Sequence, residues 1–177
     1  MADHTQDMLR SAIRAMDEVV LPAVDRNHPL ALEQATLVTK ILQLLAQQLP
    51  WLALRSRFEL ANQVDLARAL ADDAARVSPA IAAALASAVA AGERLLAHGS
   101  ATPPAQQALT REIGGLVAVL VEVAAAAPEH HRRPIEARVL GAADNVLTLQ
   151  RAWFVPQGWE PDPSVVPALA ALLQVSS

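Results

Sequence analysis

The sequence predicts an all-α protein, a compact bundle of six to seven mostly antiparallel helices. Aliphatic side chains recur every three or four residues along most of the chain, which is the period of one face of an α-helix. Prolines and capping residues divide these segments, and the short connections favour antiparallel neighbours. Hydrophobic residues make up 53% of the 177 residues but aromatic residues only 3%. The core is therefore expected to consist of alanine, leucine and valine, which let helices pack closely.

Two helices are predicted in the first fifty residues. Helix one spans residues 5–24, and we expect Pro22 to kink or end its last turn because proline has no backbone N–H. Helix two spans residues 29–49, and Gln34 and Gln48 in its apolar stripe either pair inside the core or mark a subunit interface. The stripe predicted to face the core contains Leu30, Leu37, Val38, Ile41, Leu42, Leu45 and Leu49, and the predicted wet face contains Thr36, Thr39, Lys40, Gln43 and Gln47.

Three further helices are predicted in the middle of the chain. Helix three spans residues 58–77, helix four 79–98 and helix five 103–127, and the last two begin at a proline. Helix five is the most apolar and is expected to be central. It shares the spacing of one glutamate and four aliphatic residues with helix two, which indicates either chance similarity or a degenerate duplication. Helix three is predicted to bury Leu60, Val64, Leu66, Ala67, Leu70, Ala71 and Ala74 and to expose a ladder of ion pairs formed by Asp65, Arg68, Asp72 and Arg76.

The last part of the chain is predicted to hold two helices joined by an arm. Helix six spans residues 134–152 and starts at Pro134. Residues 153–163 form an arm rich in proline and aromatic residues that is too broken to be helical, and residues 164–175 form a short helix that docks on the bundle. Residues 1–177 are interpreted as a single helical domain.

Composition argues against several classes of function. The chain has no cysteine, a formal net charge of -4 and a single lysine, Lys40, so no nucleic acid partner is expected. The longest uncharged stretch, residues 77–92, is shorter than the roughly 20 residues of a spanning helix, and the amino terminus does not resemble a secretion signal. These observations predict a soluble, cytoplasmic protein without a membrane partner.

The densest polar cluster is Glu129-His130-His131-Arg132-Arg133, which lies just before the start of helix six. Free N–H groups at a helix start and two arginines would suit an anionic ligand. The alternative, favoured for charge runs in general, is a solvated loop. Adjacent histidines point in different directions, and no Glu-x-x-His or His-x-x-x-His spacing occurs, so no metal and no cofactor are expected.

Most of the aromatic side chains lie beside the arm. Trp153, Phe154 and Trp159 are candidates for the wall of a ligand pocket or for contact with a partner. The alternative is that the arm folds back and uses these rings as a lid over the end of the bundle.

The run AMDEVVLP at residues 15–22, followed by a short turn and the long apolar helix two, resembles a group of uncharacterised bacterial all-helical proteins. Genes for that group are sometimes found near acyl-CoA dehydrogenases and phosphotransferase-like kinases. The resemblance covers the first third of the chain, and the basic, asparagine-containing second helix of the group is missing here. It implies a helical fold and transfers no functional residue.

Three functions remain in order of preference. The first is a non-enzymatic interaction or scaffold protein, a homo-oligomer and most simply a homodimer, because the apolar stripes are wide. The second is a helical module that binds a small apolar or acyl ligand, gated by residues 153–159. The third is an enzyme that uses His130 or His131 with Arg132 and Arg133 on an anionic substrate. No catalytic residue is assigned.

Overall fold

The computed structural model describes residues 2–99 and 101–173, and the side chains from His4 onward. Within these residues every element is helical, so the predicted all-α class is confirmed. Six of the helices have at least 14 residues, at the lower end of the predicted six to seven. The α-helices are α1 (Ala2–Ala15), α2 (Leu21–Ala23), α3 (Pro29–Gln48), α4 (Leu52–Val77), α5 (Pro79–Ala97), α6 (Pro103–Ala124), α7 (Glu129–Phe154) and α8 (Leu169–Leu172).

The contacts divide the chain into two compact units. Unit 1 comprises the described residues of Met1–Leu52 and Trp153–Pro163, and unit 2 those of Ala53–Ala152 and Ser164–Ser177. Unit 1 therefore holds α1 to α3 and the arm, and unit 2 holds nearly all of α4 to α7 together with α8. The single domain over residues 1–177 stays a prediction.

The core of unit 2 is formed by side chains of α4 to α7. Leu60 and Leu70 of α4 are completely buried, as are Ile113 and Leu120 of α6 and Ile135 of α7. Six of the seven residues that helix three was predicted to bury are indeed buried, and only Ala71 is exposed. The stripe of α4 is thus the centre of a core made of small aliphatic side chains, as composition indicates.

Polar contacts define the directions of the helices in unit 2. Arg57 near the start of α4 donates from Nη1 to the carbonyl of Leu96 near the end of α5, at 2.6 Å. Near the end of α4, Asp73 Oδ2 lies 2.9 Å from Nε of Arg138, in the first half of α7. Since these contacts join opposite ends, α5 and α7 run antiparallel to α4, which agrees with the predicted arrangement.

Unit 1 is built on α1 and α3. Between α1 and α2 the helical turns become wider than those of an α-helix. Residues Met16–Val20 form a π-helical segment, in which the Leu21 N–H donates to the carbonyl of Met16. Pro22 follows immediately; it cannot donate to Glu18, and its ring crowds that carbonyl. The helix therefore takes wider turns before Pro22, and it ends at Ala23, one residue after that proline.

The predicted orientation of α3 is wrong. Thr39, placed on the wet face, is only 4% exposed, and its hydroxyl donates to the carbonyl of Ala35 at 3.0 Å. Five of the seven residues of the predicted core stripe are instead in contact with solvent, with 42–63% of each residue exposed at Leu30, Leu37, Val38, Ile41 and Leu45, while Leu42 and Leu49 are half-buried. Ala35, Ala46 and Leu42, the last a member of the predicted stripe, are less exposed than these five residues and lie on the same side as Thr39.

Two predicted helix starts are also wrong. Helix α4 begins at Leu52, six residues before the predicted start at residue 58, and α7 begins at Glu129 rather than at Pro134. The carbonyl of Pro128 accepts the Arg132 N–H at 3.1 Å and so caps α7 five residues early. Pro134 lies inside the helix, in its second turn. Its missing N–H removes one backbone hydrogen bond there.

The arm and the last helix also differ from the predicted elements. Trp153 and Phe154 belong to the end of α7, and residues Val155–Gln157 form a 3₁₀ turn. The predicted helix over residues 164–175 is a 3₁₀ turn at Pro163–Val165 followed by α8. Pro167 accounts for the break, since a residue before proline avoids the helical region. Residues 174–175 lie outside the described residues.

One helix in the described part of the chain, Pro79–Ala97, is long and apolar enough to cross a membrane by length and composition. Leu85, Ala88 and Gly92 of this helix are buried in unit 2. The side chain of Ser78 caps it by accepting the Ile81 N–H at 3.4 Å. A single helix of this kind is weak evidence for a membrane span.

Candidate functional site

The cluster predicted as an anion site lies in the first turns of α7 and not in a loop. Arg133 Nη2 is 2.7 Å from Glu129 Oε1, and Arg132 Nε is 3.3 Å from Glu136 Oε1. Each arginine thus has a carboxylate on its own helix, four residues away. An incoming anion would have to compete with these carboxylates, which weakens the case for an anion site at residues 130–133.

The two histidines of the cluster lie side by side. The ring centroids of His130 and His131 are 4.0 Å apart with planes tilted by 48°. His130 is exposed and His131 is half-buried. Among residues 2–99 and 101–173, no group of three or more histidine, aspartate or glutamate side chains could hold a metal ion.

The three aromatic candidates do not form one site. Trp153 is 3% exposed, and its carbonyl accepts Nε2 of Gln48 at 3.0 Å, so one of the two glutamines of helix two does pair inside the protein. Phe154 and Trp159 stack with centroids 6.4 Å apart and planes at 20°, and Trp159 is 72% exposed. A cavity of about 230 Å³ beside the arm is lined by Lys40, Gln157 and their neighbours, without an aromatic ring.

A buried carboxylate that the sequence did not single out lies in unit 2. The Asp73 side chain is 5% exposed; Oδ1 accepts Nη1 of Arg76 at 3.1 Å, and Oδ2 accepts Nε of Arg138 at 2.9 Å. The sequence placed Arg76 in an exposed ladder, where only the Asp65–Arg68 pair forms, at 2.7 Å. The two arginines compensate the buried charge, so this group ties α4 to α7.

Arg68 also bridges to α5. Its Nη2 donates to Glu93 Oε1 at 2.6 Å, and this hydrogen bond, together with that to Asp65, raises the pKa of the guanidinium. All three side chains are more than half exposed. These surface pairs position the outer edges of α4 and α5 and offer no enclosed site.

A cavity of about 330 Å³ lies in unit 2 between α4, α7 and the residues that end α8. Asn145 Nδ2 donates to Asn62 Oδ1 at 3.0 Å, and Asn62 Nδ2 donates to the carbonyl of Ala142 at 3.4 Å. The two amides form a polar wall, while Phe58 and Leu173 provide apolar lining.

A second hollow in unit 2 is a groove of about 340 Å³ between α4, α6 and α7, lined chiefly by Leu66, Val117, Val139, Ala142 and Val146. Gln63 also lines it, and its Oε1 is buried without a hydrogen-bond partner. Sequence reasoning missed this groove because three helices far apart in the chain form it. The only signal was the small residue Gly114 on α6.

No protein-family model, no curated protein and no solved structure matches this chain. The resemblance of residues 15–22 to bacterial helical proteins stays a prediction.

Proposed function

We propose that this protein is a non-enzymatic interaction or scaffold protein that forms a homodimer through unit 1. The distribution of apolar residues carries this proposal. Of the seventeen buried apolar residues in the described part of the chain, only Trp153 belongs to unit 1. Of the seventeen exposed large apolar residues there, twelve belong to unit 1: Met8, Val19, Val20, Leu30, Leu32, Leu37, Val38, Ile41, Leu45, Leu52, Phe154 and Trp159.

The exposed residues of α3 form a continuous stripe. Leu37, Ile41 and Leu45 follow at steps of four, so they are neighbours on one face, with Val38 beside them. Leu30 extends the stripe to about 22 Å at 1.5 Å per residue. Single exposed apolar residues are common on protein surfaces, but a contiguous row marks an interaction surface. A second copy of α1 and α3, which contact each other within one chain, would cover the row in a four-helix arrangement.

Charges beside the stripe favour an antiparallel pairing of the two α3 helices. Glu33 and Lys40 are seven residues apart, so they lie on the same side of the stripe. Both are exposed, and neither has an ion-pair partner within the described residues. A two-fold axis near residues 36 and 37 would place Glu33 of each copy opposite Lys40 of the other. The same stripe would then meet itself, as a symmetric dimer requires.

The proposal includes a cytoplasmic location. The chain contains no cysteine, which suits a reducing compartment where disulfides are rare.

Introducing a charge in the stripe is expected to separate the dimer. At micromolar concentration the unchanged protein sediments as a dimer, and Ile41→Glu raises the dissociation constant about 100-fold or more because a buried unpaired charge costs several kcal/mol. Leu140→Glu is the matched control, since Leu140 is 69% exposed on α7 and lies outside the stripe. Sedimentation velocity measures all three proteins. A monomer at tens of micromolar for the unchanged protein would contradict the proposal.

A charge exchange tests the antiparallel register. Glu33→Lys places like charges opposite each other twice, and at about 0.2–1 kcal/mol for each exposed pair the dimer should weaken about 2- to 30-fold. Adding Lys40→Glu in the same chain restores opposite charges and is expected to return the dissociation constant to its original range. If the double variant is weaker than Glu33→Lys alone, the antiparallel register is wrong.

A further inference from the structure

The cavity of about 330 Å³ between α4, α7 and the end of α8 has a mixed lining. Its volume falls within the range of roughly 300–1,000 Å³ typical of small-molecule sites, which combine apolar walls with a few oriented polar groups. The apolar lining consists of Leu54, Phe58, Ala61, Leu172 and Leu173, and the polar lining of Arg57, Asn62, Asp65, Asn145 and Thr148. All of these residues belong to unit 2. The polar groups with spare hydrogen-bonding capacity decide what the cavity can bind.

The hydroxyl of Thr148 is one such group. A threonine inside a helix can donate to the carbonyl four residues earlier, and Thr36, Thr39 and Thr110 all do so, at 2.8, 3.0 and 2.9 Å. Thr148 makes neither this bond nor any other to the described residues. The residue is half-buried, and its oxygen is not one of the buried side-chain atoms that lack a partner in this part of the chain. The hydroxyl is therefore accessible to a ligand.

Arg57 provides an exposed positive charge with spare donors. Its Nη1 donates to the carbonyl of Leu96 at 2.6 Å, and no carboxylate of the described residues forms an ion pair with it. A guanidinium has five N–H donors in a planar fork that matches the two oxygens of a carboxylate. Arg57 can therefore bind a carboxylate without giving up its bond to α5.

The two donors lie at nearly the same level of the cavity. Helices α4 and α7 are antiparallel, and Asn145 of α7 donates to Asn62 of α4 at 3.0 Å. Thr148 is three residues beyond Asn145, so it lies about 4.5 Å from this contact toward the start of α4. Arg57 is five residues before Asn62, about 7.5 Å in the same direction. One carboxylate can therefore accept hydrogen bonds from both side chains.

The carboxylate of Asp65 keeps a second anion away from the opposite end. Asp65 follows Arg57 by eight residues, or about 12 Å along α4, and its Oδ1 lies 2.7 Å from Nη1 of Arg68. A negative group at that end would meet a like charge. The ligand that suits this lining carries one negative charge, at the Arg57 end, and is apolar elsewhere.

We propose that this cavity is a binding site for a small monocarboxylate with an apolar body. The guanidinium of Arg57 and the hydroxyl of Thr148 bind the carboxylate, and the apolar body contacts Leu54, Phe58 and Leu173. The site lies within unit 2, whereas the proposed dimer stripe belongs to unit 1. The site is therefore independent of self-association, and either proposal can fail alone.

Three probes test both parts of the ligand on the full chain. Phenylacetate has a carboxylate and an apolar ring, phenylacetamide replaces the carboxylate by a neutral group of the same shape, and acetate lacks the ring. Isothermal titration at neutral pH is expected to show saturable binding of phenylacetate. Phenylacetamide should bind about 10- to 100-fold more weakly because the charge-assisted hydrogen bonds are lost, and acetate at least about 10-fold more weakly because the apolar contacts are lost. Absence of saturable phenylacetate binding, or an equal affinity for either of the other probes, would overturn the proposal.

Two pairs of variants test the location. Thr148→Val keeps the shape of the side chain and is expected to weaken phenylacetate binding about 2- to 10-fold, whereas Thr110→Val, outside the cavity lining, should bind like the unchanged protein. Arg57→Gln is expected to remove the preference for phenylacetate over phenylacetamide. Arg111→Gln is its matched control and should keep that preference, since Arg111 is exposed on α6 and does not line the cavity. Unaltered binding in both cavity variants, or equal weakening in the two controls, would overturn the assignment of the site.

Discussion

Replacing Arg76 and Arg138 together by alanine is expected to lower the free energy of unfolding by about 3–5 kcal/mol. The change leaves Asp73, whose side chain is 5% exposed, as a buried carboxylate without its two guanidinium partners. The desolvation cost of the charge then has no compensation. Urea unfolding followed by far-UV circular dichroism measures the loss as a lower transition midpoint at unchanged slope.

The matched control is an arginine whose carboxylate partners are exposed instead of buried. Arg68 bridges two exposed carboxylates, Asp65 and Glu93, so Arg68→Ala should leave the urea transition midpoint nearly unchanged, because solvent screens exposed ion pairs. Asp73→Ala is expected to cost less than the double arginine variant, because both arginines are about half exposed and stay hydrated when the carboxylate is removed. A double variant as stable as Arg68→Ala would show that Asp73 is not held by its two partners.

Adding a single methyl group at Gly92 is expected to destabilise unit 2 by about 1–3 kcal/mol. The helices α4 and α5 approach closely there, and a Cβ on Gly92 would overlap the Cγ2 methyl of Val64. Val64 is buried with 1% exposure, so it has little room to move. Thermal unfolding measures the effect, at about 2–4 °C per kcal/mol for a chain of this size.

The same substitution at Gly115 should change the free energy of unfolding in the opposite direction and stabilise the protein. A Cβ at that position meets nothing within 4 Å, and replacing glycine by alanine inside a helix gains about 0.5–1 kcal/mol. The two variants differ only in what surrounds the new methyl group. A melting temperature for Gly92→Ala equal to that of Gly115→Ala would contradict the close approach of α4 and α5.

Helix boundaries could be predicted where local chemistry sets them. The starts of α3, α5 and α6 fall at Pro29, Pro79 and Pro103, because proline has the φ angle of a first helical residue and needs no N–H partner there. The same rule failed at Pro134, where the carbonyl of Pro128 starts the helix earlier. A proline near a helix start does not reveal by itself whether it is the first residue or the sixth.

The faces of helices and the candidate site were harder to predict because distant parts of the chain form them. Periodicity located the stripe of α3 but could not show which side its neighbours cover, and the side containing Thr39 is the buried one. Gly114 and Gly115 look alike in sequence, yet only Gly114 lines the groove. The unpaired oxygen of Gln63 depends on neighbours from α7 that no local pattern identifies.

The discontinuous make-up of unit 1 sets an order of events during synthesis. The hydrogen bond from Gln48 to the carbonyl of Trp153 joins residues 105 positions apart. At about 5–20 residues per second, a ribosome needs roughly 5–20 s to make the intervening chain. Helices α1 and α3 are therefore synthesised first, and residues 153–163, the second part of unit 1, follow only after that interval. Neighbouring ribosomes on one messenger RNA would present several copies of α1 and α3 at once, so two chains have time to meet before either is complete.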